Sequence, residues 1–282
     1  MKILELKCLN ESQVADIRNL ERICQRYEKL KGDLFLANEI NFNHEIKCFY
    51  LLYDEDRLIS CLTMFVPTSK EAEISAYTLP SHRGKGYFDT LLNRAIEELK
   101  LYSISDILFV EEPNGNDAKG VLKKLNAKYE YSEYLMVYNR EFFKNQNTKL
   151  TLQPIPQEKI EDMISLNTDI FGGSFEDEKS MIINSINSPK IISYMAILGD
   201  EIIGTCNVNL EEEASIFGLG ISQRYQGKGY GKEMLNLLLK ILINMGIKDI
   251  TLEVDSNNGR AYNLYIKSGF KIKTRFDYYR YS

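Results

Sequence analysis

Gln226-Gly227-Lys228-Gly229-Tyr230-Gly231 places three glycines within five residues, between a predicted strand and a predicted helix. Glycine has no Cβ atom, so successive backbone N–H groups can converge on a ligand at the start of the helix. Such a turn suits a diphosphate, and Lys228 and Lys232 add positive charge nearby. The glycine spacing differs from GxGxxG, and Glu233 replaces the Ser or Thr of a Walker A loop.

The residues around this turn alternate between strand and helix patterns. In particular, the helix predicted over Gly229–Met245 carries apolar side chains at helical spacing. Mixed strands and helices indicate an α/β fold with an α+β mixed sheet. Helices are predicted over 157–170, 175–187, 229–245 and 258–267, and strands over 150–152, 191–198, 201–209, 214–221, 249–254 and, as one or two strands, 270–281.

The chain repeats itself. Arg83-Gly84-Lys85-Gly86-Tyr87 recurs 143 residues later as Gln226-Gly227-Lys228-Gly229-Tyr230, and Ile104, Asp106, Ile107 and Ala118 recur at the same offset. Several ordered matches indicate a tandem duplication. A polar stretch, Asn145–Thr148, precedes the second copy, so the sequence predicts domains over 1–145 and 146–282.

Composition excludes several classes of protein. The net charge of −5 disfavours nucleic acid as the main partner. Five cysteines without a CxxC pair and only two histidines predict neither disulfides nor a metal site. No apolar run has the length of a membrane span, and the first residues do not resemble a signal peptide. We therefore expect a cytoplasmic protein with no membrane partner.

The glycine turn also carries a family resemblance. Gln226, Gly229 and Gly231 form the pattern Q-x-x-G-x-G, which resembles the coenzyme A signature of the GNAT superfamily of N-acetyltransferases. Asn258–Tyr265 and Ser268–Phe270 resemble the second segment of that family, N-x-x-A-x-x-L-Y followed by G-F. The resemblance implies two tandem domains of this family, each with a splayed mixed sheet flanked by helices. It also implies acetyl-CoA as cosubstrate, no metal, and an amine-bearing small molecule or peptide as acceptor, with a homodimer left open.

The resemblance further implies which residues act. Tyr265 stands at the family position for the acid that protonates the leaving thiolate, and a backbone N–H of the preceding strand would stabilise the oxyanion. The usual glutamate base falls on Ser215, so Glu213, Asp255 and a water chain to bulk solvent are alternatives for that role. The implied coenzyme A site comprises Leu219, Gly220, Ile221, Gln226, Gly227, Lys228, Gly229, Tyr230, Gly231, Lys232, Asn258 and Tyr265.

The first copy departs from this pattern. Phe88 aligns with Gly231, where a bulky side chain would crowd the turn, and Leu122 aligns with Tyr265. We therefore predict a degenerate first copy and one coenzyme A per chain, bound to the second copy. Two alternatives stay open: a non-catalytic acyl-CoA-binding regulatory module, which Ser215 favours, and a tandem acetyltransferase resembling mycothiol synthase.

Overall fold

The computed structural model describes residues 1–210 and 213–281, except for the side chains of residues 116 and 117. Contacts divide the chain into two compact units. The first unit comprises Met1–Ser132 together with Thr274–Ser282, and the second unit comprises Glu133–Lys273. Within the described residues, no helix combines the length and the apolar character needed to cross a bilayer.

The first unit is a mixed sheet with helices. Its strands run in the order β1-β2-β3-β4-β5, and the pairs from β1 to β4 are antiparallel, whereas β4 and β5 are parallel. The elements are β1 Lys2–Leu6, α1 Glu11–Glu28, β2 Phe49–Asp54, β3 Arg57–Phe65, β4 Glu71–Thr78, α2 Tyr87–Leu101, β5 Asp106–Glu111, α3 Asn116–Lys124 and β6 Lys128–Tyr138, whose second half belongs to the second unit.

The second unit repeats this order, with two helices in place of α1. Its strands run β7-β8-β9-β10-β11, and only β10 and β11 in this series are parallel. The elements are β7 Leu150–Pro154, α4 Ile160–Phe171, α5 Phe175–Asn187, β8 Ile191–Leu198, β9 Glu201–Leu210, β10 Ala214–Ile221, α6 Tyr230–Asn244, β11 Ile250–Asp255, α7 Gly259–Ser268 and β12 Phe270–Tyr281.

In both units the parallel strands separate before they end. The register of β4 with β5 runs from Glu71↔Asp106 to Ile74↔Phe109, although β4 continues to Thr78. The register of β10 with β11 covers only 214–216 against 250–252, although β10 continues to Ile221. The predicted α/β fold, with two splayed mixed sheets flanked by helices, is therefore confirmed.

The last strand of each repeat completes the sheet of the other unit. Residues 277–281 of β12 pair antiparallel with 107–111 of β5 in the first unit. Residues 133–137 of β6 pair antiparallel with 251–255 of β11 in the second unit. The compact units therefore do not follow the predicted ranges 1–145 and 146–282, because the repeats exchange a strand.

Helix α6 fixes the position of the glycine turn. Its apolar stripe is buried against the sheet of the second unit, and burial of each leucine stabilises that packing by roughly 2 kcal/mol. Since α6 begins directly after the turn, this packing holds the turn at the open end of β10. The buried residues of the stripe are Met234, Leu235, Leu238, Leu239 and Leu242.

Candidate active site

The glycine turn of the second unit leaves its backbone open to a ligand. Gly227 and Gly229 have φ angles of 74° and 91°, a region that favours glycine. A Cβ atom built on either residue would have no neighbour within 4 Å. Helix α6 begins at Tyr230, and no side chain caps it through Gly229. The first N–H groups of the helix can therefore bind an anion.

Gln226 holds this turn in place. Its Nε2 atom donates a hydrogen bond to the carbonyl oxygen of Ile221 at 2.9 Å. Arg260, in the first turn of α7, donates to Oε1 of Gln226 at 2.5 Å. Lys228 lies with Nζ 5.2 Å from the centroid of the Tyr225 ring, a cation–π distance. Two cations therefore lie at the turn without a carboxylate partner in these contacts.

Gly231 and Lys232, two further residues predicted for the coenzyme A site, have different neighbours from those of Gly227 and Gly229. Lys232 lines a cavity of about 270 Å³ that Lys144 and Lys267 also line. A Cβ atom at Gly231 would meet Leu264 at 3.7 Å and Ile221 at 3.9 Å, which are ordinary contacts. Alanine therefore fits at position 231, and glycine is not needed there for space.

Strand β10 contains a β-bulge where it leaves β11. Phe217 pairs with Asn207 and Gly220 pairs with Thr205, so Gly218 and Leu219 together oppose a single residue of β9. Gly218 has a φ of 57°, and a Cβ atom there would lie 2.8 Å from the Asn207 side chain. A bulge re-aims backbone groups that the regular ladder would occupy. The N–H groups of Gly218 and Leu219 are therefore candidates for an oxyanion site.

The end of α4 forms a wall beside this bulge. A Cβ atom at Gly220 would collide with Ile170, so only glycine lets α4 pack on β10 at this point. Asp169 fixes the contact, because it accepts a hydrogen bond from the Ser222 hydroxyl at 2.9 Å. Neither Asp169 nor Ile170 was predicted from the sequence. Glycine at position 220, within an otherwise apolar strand, was the available signal.

Tyr265 lies in the apolar core of the second unit. It is 7% exposed, and its ring centroid is 5.8 Å from that of Phe270. Burial raises its pKa to about 12, with a smaller contribution from nearby Cys206, so the hydroxyl keeps its proton at neutral pH. Cys206 is the β9 residue between the partners of Phe217 and Gly220. Tyr265 and Cys206 thus belong to one core cluster, against which Leu219 of the bulge packs.

The remaining predicted site residues, Glu213, Asp255 and Asn258, form hydrogen bonds within the protein. Glu213 accepts a hydrogen bond from the Thr251 hydroxyl at 2.9 Å and lies six residues before Leu219, about 20 Å along the strand. Asp255 accepts from the Asn257 N–H at 2.7 Å, and Asn258 caps α7 through the N–H of Ala261. Glu213 is therefore at the far end of β10, whereas Asp255 and Asn258 are at the end near the turn.

The first unit has a turn of the same shape. Gly84 and Gly86 have φ angles of 72° and 80°, and a Cβ atom on either would have no neighbour within 4 Å. Arg83 donates from Nε to the carbonyl oxygen of Thr78 at 3.0 Å, as Gln226 does at the equivalent place. Phe88 packs on Phe109 with ring centroids 6.3 Å apart and also lines the cavity beside Gly84 and Gly86, so its crowding of a ligand stays a prediction.

The two units differ in the charge around the glycine turn and in the pairing of the strand that precedes the turn. In the first unit Arg83 forms an ion pair with Glu28 at 2.7 Å, and Lys124 pairs with Asp89 at 2.9 Å. These ion pairs leave less net positive charge for an anionic ligand. Strand β4 pairs with β3 in continuous register from Ser60↔Thr78 to Phe65↔Glu73, so the bulge of β10 has no counterpart there.

A duplicated splayed mixed sheet with a glycine turn at the open end of its parallel strands defines the class of protein. The model of the acetyltransferase (GNAT) family matches residues 14–126 and 160–270. The chain therefore belongs to the GNAT acetyltransferase family. Within residues 1–210 and 213–281, no group of three or more His, Cys, Asp or Glu residues is arranged to hold a metal ion.

Curated relatives match parts of the chain. A mycothiol acetyltransferase of Corynebacterium efficiens is 33% identical over 79 residues, which are 27% of this chain and 27% of that protein. A [ribosomal protein bS18]-alanine N-acetyltransferase of Haemophilus ducreyi is 38% identical over 71 residues, which are 25% of this chain and 49% of that protein. The chain thus spans a quarter to a half of the length of these relatives.

Solved structures resemble the whole chain. A GCN5-related N-acetyltransferase from Sphaerobacter thermophilus has a TM-score of 0.76 at 16% identity, covering 99% of this chain and 95% of that one. A tandem GNAT protein from the clavulanic acid biosynthesis pathway has a TM-score of 0.69 at 11% identity, covering 99% of this chain and 97% of that one. At these identities the likeness shows the fold alone.

Proposed function

We propose that the second unit is an N-acetyltransferase that transfers the acetyl group of acetyl-CoA to a primary amine of a small molecule or peptide by direct attack. The observation that supports this proposal is the bulge at Gly218 and Leu219, in a unit whose core cluster also contains the protonated Tyr265. Binding alone needs neither a re-aimed backbone N–H nor a proton donor beside it.

The second turn suits coenzyme A. Its glycines leave the backbone open, and Lys228 and Arg260 supply positive charge at the start of α6. When bound, acetyl-CoA supplies a thioester, which is an activated acyl group. Residues Gln226–Tyr230 would hold the diphosphate, and Leu219–Ile221 would lie beside the pantetheine arm.

Each residue of the site then has a role. A backbone N–H at the bulge stabilises negative charge on the carbonyl oxygen under attack. Tyr265 holds a proton that it can give to the leaving thiolate. Ile170 and Phe171 exclude water from the face of β10 at Gly220. For the base, the position of Asp255 favours it over Glu213, and a water chain to solvent is the alternative.

The test is Tyr265→Phe, assayed by acetyl-CoA turnover with a panel of primary amines. The panel includes spermidine, a peptide with N-terminal alanine and cysteine amide, which differ in charge and in the presence of a thiol. We expect kcat to fall by about 10²-fold or more while coenzyme A affinity is kept. Tyr262→Phe is the matched control, because Tyr262 lies on the same helix and packs on Tyr134.

A second candidate function is a non-catalytic acyl-CoA-binding module. Ser215 favours it, because the family's usual base is missing there. This alternative predicts saturable coenzyme A binding without turnover of any amine in the panel. Turnover of cysteine amide in preference to the other amines would instead support an acceptor like that of a mycothiol acetyltransferase.

A further inference from the structure

The first unit contains a cavity of about 590 Å³ where β4 and β5 separate. Residues 74–78 of β4 line one side, and residues 109–112 line the other. Leu122 of α3 and Phe276 of β12 form further parts of the wall. A cavity of this volume is in the range of small-molecule sites.

Glu111 is a buried acid in the wall of this cavity. It is 9% exposed, and neither carboxylate oxygen makes a hydrogen bond within the part of the chain that the structure describes. The Tyr279 hydroxyl interacts with this carboxyl only weakly, because it lowers the pKa of Glu111 less than Lys119 does. In the second repeat the equivalent residue is Val254, which is buried in the core. An unpartnered buried carboxylate is costly, so its presence where valine suffices indicates a ligand.

The other acidic residues around the cavity have partners. Glu28 pairs with Arg83 at 2.7 Å, and Asp89 pairs with Lys124 at 2.9 Å. Glu112 accepts hydrogen bonds from the N–H of Gly32 at 2.7 Å and from the Thr274 hydroxyl at 2.5 Å. Asp33 accepts from the Gln25 amide at 3.0 Å. Among the described acids of the wall, only Glu111 has buried carboxylate oxygens that no donor meets at hydrogen-bonding distance and angle.

We propose that this cavity is a second small-molecule site, which binds an organic ammonium ion with an apolar body, and that Glu111 is its counter-ion. The apolar body would contact Phe109, Leu122 and Phe276, which line the cavity. Among the side chains that the structure describes, five carboxylates and two permanently charged cations line it, and this balance disfavours the anionic coenzyme A. The site is independent of acetyl transfer in the second unit.

The charge of Glu111 controls this binding. Burial raises its pKa to about 7. Lys119 of α3 opposes this rise, whereas Asp277 of β12 and Glu28 of α1 add to it. Because the ammonium ion pairs with the ionised form, the affinity should increase as the pH rises through 7 and then level off. A neutral ligand of the same shape should show no such dependence.

The experiment is a calorimetric titration of the full chain at pH 8 with three amines: phenethylamine, hexylamine and 4-phenylbutylamine. 2-Phenylethanol is the uncharged match for phenethylamine. We expect at least one amine to bind saturably and at least tenfold more tightly than the alcohol. Glu111→Gln should weaken amine binding tenfold or more and leave the alcohol unchanged. Asp89→Asn, which removes a paired carboxylate of the same cavity, should bind amines as the wild type does.

Four results would each overturn the proposal. These are no saturable binding of any of the three amines, equal affinity for phenethylamine and 2-phenylethanol, unchanged amine affinity in Glu111→Gln, and displacement of the amine by coenzyme A. If Glu111→Gln does not fold, the carboxyl carbon resonance of Glu111 in the wild type replaces it. Phenethylamine should then lower the pKa of Glu111, and an unchanged pKa counts against the proposal. Since binding is the readout, failure here leaves the proposed acetyltransferase untouched.

Discussion

Arg83 and Gln226 hold equivalent places in the two repeats, and each binds the end of its splayed strand. Arg83 donates to the carbonyl oxygen of Thr78 at 3.0 Å, and Gln226 donates to that of Ile221 at 2.9 Å. The shape of the turn is therefore kept in both units. The charge differs, because arginine at this place forms an ion pair with Glu28, whereas glutamine accepts a hydrogen bond from Arg260.

Gln226→Ala should weaken coenzyme A binding about tenfold. The substitution removes one hydrogen bond that positions the turn and one that positions Arg260, and loss of such a bond costs on the order of 1 kcal/mol. Isothermal titration with coenzyme A measures the effect. Arg83→Ala is the matched control in the first unit and should leave the affinity unchanged. An equal loss in both variants would contradict the assignment of the site to the second unit.

Gly229→Ala and Gly231→Ala should differ in their effects on coenzyme A binding and on Tm. Alanine at 229 is strained at a φ of 91°, at a cost of about 1 kcal/mol, and it adds a methyl group to the open face of the turn. Alanine at 231 meets only ordinary contacts. We expect weaker coenzyme A binding and a lower Tm for Gly229→Ala, with neither change for Gly231→Ala. The reverse order would show that position 231 faces the ligand.

The stoichiometry of coenzyme A should be one per chain. The second turn has cations at Lys228 and Arg260, whereas Arg83 and Lys124 of the first unit are paired with carboxylates. Gly86→Ala should therefore leave coenzyme A affinity almost unchanged, although some stability is lost. Calorimetry gives the stoichiometry directly. Two molecules bound per chain would contradict the asymmetry inferred from these charges.

Glu111→Gln should stabilise the protein at alkaline pH. The raised pKa, about 7 against 4.5 for the unperturbed group, means that the folded state binds a proton more tightly than the unfolded state. The free energy of unfolding of the wild type therefore falls as the pH rises from 4.5 to 7. Glutamine removes this loss, so the variant should be more stable by up to about 3 kcal/mol at pH 8 and nearly equal at pH 4.

Urea unfolding across this pH range measures the difference. Glu130→Gln is the control, because Arg280 lowers the pKa of Glu130 and its removal should act in the opposite direction. Parallel pH profiles for wild type and Glu111→Gln would show that this carboxyl is not perturbed.

Removal of residues 274–282 should expose strand β5. Residues 277–281 pair with 107–111, and Phe276 forms part of the cavity wall. Hydrogen exchange should show loss of amide protection in β5, while β8 and β9 of the second unit keep theirs. A chain ended after Tyr281 is the control and should exchange like the wild type. Intact protection of β5 in the truncated chain would contradict the strand exchange.

The sequence predicted those structural elements that neighbouring residues determine. Strands over Ile191–Leu198 and Ala214–Ile221 lie at their predicted bounds, because alternation and turn residues determine them. The glycine turn and the duplication followed from an ordered repeat. The bulge at Gly218 was not predicted, although two glycines within one short strand were a signal for it.

Other features depend on distant residues. The tail from Phe270 was predicted as strand, yet nothing local indicates that its partner is β5. Glu111 is the last residue of β5, and no local pattern distinguishes it. Its burial depends on the cavity wall and on residues of β12, so only the alignment with Val254 could have marked it. The distance of Glu213 from the bulge followed only from the register of β10 with β9, which places the bulge at Gly218 and Leu219.

The strand exchange sets the order in which the protein can be completed on the ribosome. Strand β5 leaves the exit tunnel early, but its partner, residues 277–281, is translated about 170 residues later. At bacterial or eukaryotic elongation rates this delay is on the order of ten seconds or more. Throughout it, the nascent first unit carries an open sheet edge that invites pairing with other chains. Synthesis of this protein therefore should depend on chaperones that shield nascent chains more than synthesis of either repeat as a self-contained domain would.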